Sequence, residues 1–125
     1  MAGHLPTLSA FSMGAVYALA ALAIAGEEHW RGVKGEAALR ELFAGKEFAD
    51  GVHFAYQFKA EGTFSGTEMA KDVSGSWRVR GDEFCWRWER PPGPHECYEV
   101  QQDGAHVRLL TNGSEAWYGV LEPLR

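Results

Sequence analysis

Apolar and polar side chains alternate along segments that short turns connect. This alternation constrains the fold of the chain more than any other feature. Between residues 75 and 100, tryptophan, phenylalanine and valine alternate with arginine, glutamate and cysteine. A period of two indicates β-strands with one buried face. A two-residue turn at Gly81-Asp82 sets Trp77 opposite Trp86, so the apolar faces of two antiparallel strands coincide. The same pairing sets Val79 opposite Phe84.

The segments on both sides of residues 75–100 also show alternating apolar residues joined by turns. Val52, Phe54, Tyr56 and Phe58 form one apolar face, and a loop at Ala60-Glu61-Gly62 sets Phe58 opposite Phe64. The next strand covers residues 63–69 and ends in a polar loop around Lys71 and Asp72, before a strand over residues 74–80.

Two later dipeptides, Asp103-Gly104 and Asn112-Gly113, are typical hairpin turns. They predict that Val100 faces Val107 and that Leu109 faces Ala116. Each of these hairpins would bury the same face of the sheet, and such agreement between turns favours a single curled layer.

A helix precedes the strands. Residues 35–44 are rich in Ala, Leu, Glu and Arg, which are good helix formers, and Leu39, Leu42 and Phe43 fall on one face. Gly45 is a natural stop. The sequence therefore predicts a mainly β fold, with one short helix before an up-and-down meander of seven or eight strands that closes into a small lipocalin-like barrel.

The first 25 residues differ from the rest of the chain. They contain no Asp, Glu, Lys or Arg, and residues 11–25 are almost all apolar or small. This pattern is typical of a secretory signal peptide cleaved after Ala25, which leaves residues 26–125 as one barrel domain. A retained membrane anchor and a buried helix are the alternatives, although the apolar run is shorter than the about 20 residues of a spanning helix.

The two cysteines, Cys85 and Cys97, lie on strands that the turns bring together. In an exported, periplasmic or secreted protein such a pair indicates a disulfide, which closes a loop of roughly a dozen residues here. By strand alternation it would lie on the polar face and act as a staple.

The inward aromatic residues are candidates for lining a pocket that holds a small apolar ligand. The alternative is that they simply fill a narrow barrel. They are Phe54, Tyr56, Phe58, Trp77, Trp86, Trp88 and Tyr98.

The outward arginines Arg78, Arg80 and Arg87, with Trp117, are candidates for an interaction surface with a protein partner. The alternative is that the arginines pair with nearby carboxylates across the strands. Those carboxylates are Glu83, Glu89, Glu96 and Glu99.

No catalytic or metal-binding signature stands out. The five histidines and two cysteines show no zinc-like spacing, and no serine lies in a nucleophile elbow. We expect no metal and no cofactor. The net charge of −5 argues against nucleic acid as a partner, because phosphate binding needs a basic protein surface.

Several short motifs together resemble an uncharacterised group of short exported bacterial β-barrel domains. The motifs are Leu42-Phe43-Ala44-Gly45, Gly75-Ser76-Trp77-Arg78-Val79, Cys85-Trp86 and Cys97-Tyr98-Glu99-Val100. The resemblance implies export and a barrel fold, and it supplies no catalytic residues. The sequence therefore predicts a small periplasmic binding or protein-interaction module without enzymatic activity. The alternative is a small hydrolase or another enzyme of the cell envelope.

Overall fold

Eight strands close into an antiparallel barrel, as the sequence predicts, in a computed structural model that describes residues 28–125. The predicted leader and its cleavage site after Ala25 lie outside these residues. In chain order the elements are β1 (Arg31–Val33), α1 (Glu36–Phe43), β2 (Lys46–Ala49), β3 (Phe54–Phe58), β4 (Thr63–Glu68), β5 (Lys71–Arg80), β6 (Glu83–Trp88), β7 (Glu96–Asp103), β8 (His106–Thr111) and β9 (Ser114–Pro123).

The barrel is a simple meander. Each strand from β2 to β8 pairs with the next one along the chain, and β9 pairs back with β2, where Phe48 lies opposite Leu121. Closure leaves none of these eight strands at an edge, which removes the unpaired backbone groups of an open sheet.

The additional strand β1 extends the barrel wall beyond the first residue of β6. Phe84 of β6 pairs with Tyr98 of β7, and two residues further along β7 Val100 pairs with Val33 of β1. After β1, the backbone N–H of Gly35 donates to Asp82 Oδ1 at 2.9 Å, which ties the start of α1 to the β5–β6 turn.

The helix α1 closes one end of the barrel. Leu39 and Phe43 are both fully buried, and the Phe43 ring stacks on Phe84 with 4.1 Å between centroids. The Lys46 ammonium donates to the last carbonyls of the helix, where the helix dipole favours a cation. The predicted helix and its C-terminal stop are therefore confirmed.

Strand registers around the aromatic centre match those predicted from the turns. Opposite pairs include Phe58 with Phe64, Trp77 with Trp86 and Val79 with Phe84.

Two predicted boundaries near the start of the barrel are wrong. Val52 is 82% exposed in a bend between β2 and β3, rather than part of the aromatic face. The turn predicted around Lys71 and Asp72 is formed instead by Met69 and Ala70, which adopt φ values of 50° and 66°. Left-handed turn positions usually hold Gly or Asn, so Met69 and Ala70 do not indicate a turn.

The β7–β8 register is wrong by two residues. The turn residues are Gly104 and Ala105, and Val100 faces Leu109 rather than Val107. A shift of two preserves which side chains point inward, because side-chain direction alternates with a period of two.

The β8–β9 register is wrong by one residue beyond a β-bulge between Leu109 and Leu110. Leu109 faces Trp117 and not Ala116. A one-residue slip moves side chains to the opposite face of the sheet, and Trp117 consequently points into the barrel.

A substitution at Gly66 tests how closely β3 and β4 approach each other. A Cβ at this position would lie 1.9 Å from the carbonyl oxygen of Ala55. Gly66→Ala should therefore lower the free energy of unfolding by about 2 kcal/mol or more, as overpacking does elsewhere. Gly93→Ala is the matched control, because nothing lies within 4 Å of its added Cβ. Urea denaturation would measure the free energy of unfolding of both variants. Equal values for Gly66→Ala and Gly93→Ala would contradict this β3–β4 packing.

Candidate functional site

The seven aromatic residues predicted to line the interior all point into the barrel and pack on one another. The Trp86 centroid lies 5.0 Å from that of Trp117 and 5.4 Å from that of Trp88, and Phe54 stacks on Tyr56 at 4.8 Å. Depressions of about 250–600 Å³ on the described part of the chain are lined mainly by outer-wall and loop residues. The rings therefore occupy much of the space that a ligand would need.

Polar groups lie at the barrel mouth, the end opposite α1. The Tyr56 hydroxyl donates to Glu68 Oε2 at 2.7 Å, and the Trp88 indole N–H donates to Glu96 Oε1 at 3.2 Å. Burial, followed by the Glu68 carboxylate, raises the pKa of Tyr56 far above its ordinary value. Trp86 Nε1 is fully buried and makes no hydrogen bond of ordinary length and angle among residues 28–125. Burial raises the pKa of Tyr98, but the Trp117 and Trp86 indoles nevertheless act on the Tyr98 hydroxyl and partly offset this rise. The mouth is thus an aromatic surface with two carboxylates at its rim.

Arginines on the outer wall of β5 and β6 form a basic face, which comprises Arg78, Arg80, Arg87 and His95. Arg80 pairs with Glu83 at 3.2 Å, as the cross-strand alternative predicted. Arg78 and Arg87 are exposed, and in the described part of the chain neither has a carboxylate oxygen within 4.0 Å.

Two of the four carboxylates expected to neutralise this face have other partners. Glu89 accepts from the Ser74 hydroxyl, and Glu96 accepts from the Trp88 indole at the mouth. The pKa of His95 is lowered by burial and by the positive charges of Arg78, Arg87 and Arg80, in that order. Three guanidinium groups therefore act on one imidazole, and the face has an unneutralised positive charge.

The predicted disulfide lies inside the basic face. The sulfurs of Cys85 and Cys97 are 2.07 Å apart, and these two residues are directly opposite on β6 and β7. Cys85 is fully buried and Cys97 is partly exposed. The predicted pairing is confirmed.

Trp117 does not belong to the outer surface to which the sequence assigned it. Its ring packs edge-on against Trp86 and Phe54 because the β8–β9 bulge turns it inward. A shallow depression of about 300 Å³ adjoins Arg87 instead. It is lined by Gly75, Ser76, Arg87, Trp88, Glu89 and Pro92.

A surface cluster around Trp30 was not predicted. The Arg108 guanidinium lies 4.4 Å above the Trp30 ring, whose edge contacts Tyr118, and the Tyr118 hydroxyl is 2.8 Å from His106 Nδ1. Arg108, Tyr118 and His106 lie on the outer wall in the structure, and no local signal in the sequence shows that the segment before β1 crosses them.

The Asp50 carboxylate organises the loop between β2 and β3. Its Oδ1 accepts backbone N–H groups of Val52, His53 and Phe54, and its Oδ2 is 2.7 Å from His53 Nδ1. Burial acts to raise the pKa of Asp50, but these hydrogen bonds outweigh burial and hold it well below its usual value of 3.8. Asp50 is therefore ionised in the folded loop.

Two further features of the described residues bear on function. Residues 28–125 contain no group of three or more His, Cys, Asp or Glu side chains arranged to hold a metal ion. Within the same residues, no helix has the length and apolar character needed to cross a membrane.

Comparisons with protein-family models, with curated proteins and with solved structures found no match to this chain.

Asp50 makes the loop sensitive to acid. A carboxylate whose folded-state pKa is depressed adds stability above its unfolded-state pKa, and this stability is lost as the pH falls. Asp50→Ala should lower the Tm at pH 7, and the difference from the unmodified protein should shrink as the pH falls below 3.8. Asp72→Ala is the control, an exposed carboxylate on β5. Scanning calorimetry at several pH values would measure this, and a difference that is constant with pH would contradict the assignment.

Proposed function

We propose that the barrel is a non-enzymatic binding module of an exported, periplasmic protein and that its basic face docks an acidic segment of a partner protein. One observation carries the proposal. Arg78 and Arg87 have no carboxylate partner within 4.0 Å in the described chain, although the protein has 17 acidic residues and a net charge of −5. Guanidinium groups left without an internal partner are available to form bidentate pairs with external carboxylates.

The spacing of the two arginines fits an extended acidic strand. Arg87 lies opposite Ser76, and Arg78 is two residues beyond Ser76 on β5, so the arginines are diagonal neighbours. Diagonal neighbours in an antiparallel sheet have Cβ atoms about 7 Å apart. Alternate residues of an extended peptide repeat at about 6.6 Å on one side. A partner segment with glutamates at alternate positions therefore matches this face.

Burial and composition favour a binding role over catalysis. An enzyme of the cell envelope, the alternative, would need a recessed acid or base with a shifted pKa. Within residues 28–125 no carboxylate or histidine is fully buried, and the buried titratable groups are the tyrosines Tyr56 and Tyr98. The pKa values of Asp50 and His95 are shifted, but the Asp50 carboxylate is occupied by loop N–H groups and His95 lies on the outer wall. The disulfide and the predicted leader are the support for export.

Peptide titration tests the docking proposal. A peptide of alternating glutamate and glycine should shift the backbone amide NMR signals of β5 and β6, whereas its glutamine counterpart should not. Arg78→Glu with Arg87→Glu should weaken binding at least about tenfold, because two charge-assisted pairs become repulsive. The control is Arg125→Glu, which makes the same kind of charge change at the exposed C-terminus. Equal binding by all three proteins, or shifts confined to other strands, would contradict the proposal.

A second candidate function is the binding of a small apolar ligand at the barrel mouth. The observation in its favour is the unpartnered indole N–H of Trp86, because a buried donor without an acceptor costs about 1–3 kcal/mol. A ligand with an aromatic ring and an acceptor oxygen would satisfy that donor.

An aromatic sulfonate probe tests the second candidate. Anilinonaphthalene sulfonate should quench the tryptophan fluorescence of the folded protein, and Trp86→Phe should weaken this binding several-fold. Trp30→Phe is the control on the outer wall. Failure of the probe to bind the folded protein, or equal binding by both variants, would contradict the candidate.

A further inference from the structure

The disulfide lies between unpaired positive charges. Arg78 is directly opposite Cys85 across β5 and β6, and Cys85 is directly opposite Cys97 across β6 and β7. Directly opposite side chains have Cβ atoms about 5 Å apart. Arg87 is two residues from Cys85 on β6, so it projects from the same side of the wall as the cysteines. His95 lies two residues before Cys97, just outside β7.

We infer that the Cys85–Cys97 bond is a thiol-exchange site that reacts with small anionic thiols of the glutathione type. Positive charges next to a cysteine stabilise the thiolate form of its side chain. A disulfide whose reduced form is stabilised in this way is more oxidising, and it is reduced more readily. The same charges attract the incoming nucleophile, which is itself an anion.

Exposure of the two cysteines determines the course of the exchange. An incoming thiolate reaches the partly exposed Cys97, because Cys85 is fully buried. Its sulfur bonds to Cys97 Sγ, the bond between the two cysteines breaks, and Cys85 Sγ leaves as a thiolate opposite Arg78. A second small thiolate attacks the sulfur of the first thiol, which is now bonded to Cys97 Sγ. This breaks the mixed disulfide and releases Cys97 as a thiolate. In total, two small thiols are oxidised to one disulfide, and the protein disulfide is reduced to two thiols.

Charges of both signs face the disulfide, and the balance is positive. β5 contributes Arg78 and Arg80, β6 contributes Glu83 and Arg87, and β7 contributes Glu99. His95, just before β7, adds little charge because its pKa is lowered. The Arg80–Glu83 ion pair largely neutralises itself. Arg78 and Arg87 then stand against one carboxylate, that of Glu99. Because these groups are exposed, solvent screens them and the expected effect is a few-fold change.

Redox equilibration with reduced and oxidised glutathione tests the inference. Alkylation and mass spectrometry give the reduced fraction of the protein, compared with Arg78→Gln/Arg87→Gln and with the control Arg125→Gln. The double variant should show an equilibrium constant for reduction about fivefold lower, equivalent to roughly 20 mV for a two-electron couple. The difference should be present at about 0.05 M salt and largely disappear at about 0.5 M salt, because screening removes charge effects.

A second readout locates the attack. Trapping of the mixed disulfide with iodoacetamide should place glutathione on Cys97. Equal equilibrium constants for the double variant and the control, a difference that does not change with salt, or glutathione found on Cys85 would overturn the inference. Thermal unfolding of the oxidised and reduced forms of each variant shows whether a loss of fold has contributed. This test involves no acidic peptide, so its outcome is separate from that of the docking proposal.

Discussion

The packing of Trp86 against rings from the surrounding strands is the interaction on which the barrel depends. Its centroid lies within 6.3 Å of the rings of Tyr56, Phe58, Phe64, Tyr98 and Trp117, which belong to β3, β4, β7 and β9, and it also contacts two neighbours on β6. Aromatic pairs add about 0.5–1.5 kcal/mol beyond burial of their area. Three of these strands, β3, β4 and β9, are distant from β6 in sequence and do not pair with it, so the ring cluster holds together parts of the chain that no hairpin joins to β6.

Room for these rings comes from glycines on the inward face. A Cβ on Gly75 would lie 2.6 Å from the Phe64 ring, and one on Gly119 would lie 2.9 Å from Phe48. The large and small residues therefore alternate around the interior, as a narrow barrel requires. The same filling explains why the outer wall, rather than the interior, offers the better-supported site. The walls of β5 and β6 hold charges that the fold does not neutralise.

Local turn chemistry made much of this fold predictable, and non-local contacts explain the errors. Gly81-Asp82 and the loop ending in Gly62 set their registers correctly, because turn type fixes pairing in adjacent strands. The bulge at Leu109 is not encoded by any glycine or proline, so the inward position of Trp117 could not be read from alternation. The lack of a carboxylate partner for Arg78 and Arg87 was also unpredictable, because Glu89 and Glu96 bond to Ser74 and Trp88 through non-local contacts.

The inward position of Trp117 distinguishes this structure from the β8–β9 register predicted from the Asn112-Gly113 turn, and it completes the ring cluster around Trp86. Nuclear Overhauser spectroscopy of the folded protein measures it directly. The account predicts cross-peaks between the indole protons of Trp86 and Trp117, whose ring centroids are 5.0 Å apart. Cross-peaks from Trp117 to the outward side chains of β8, with none to Trp86, would contradict the account.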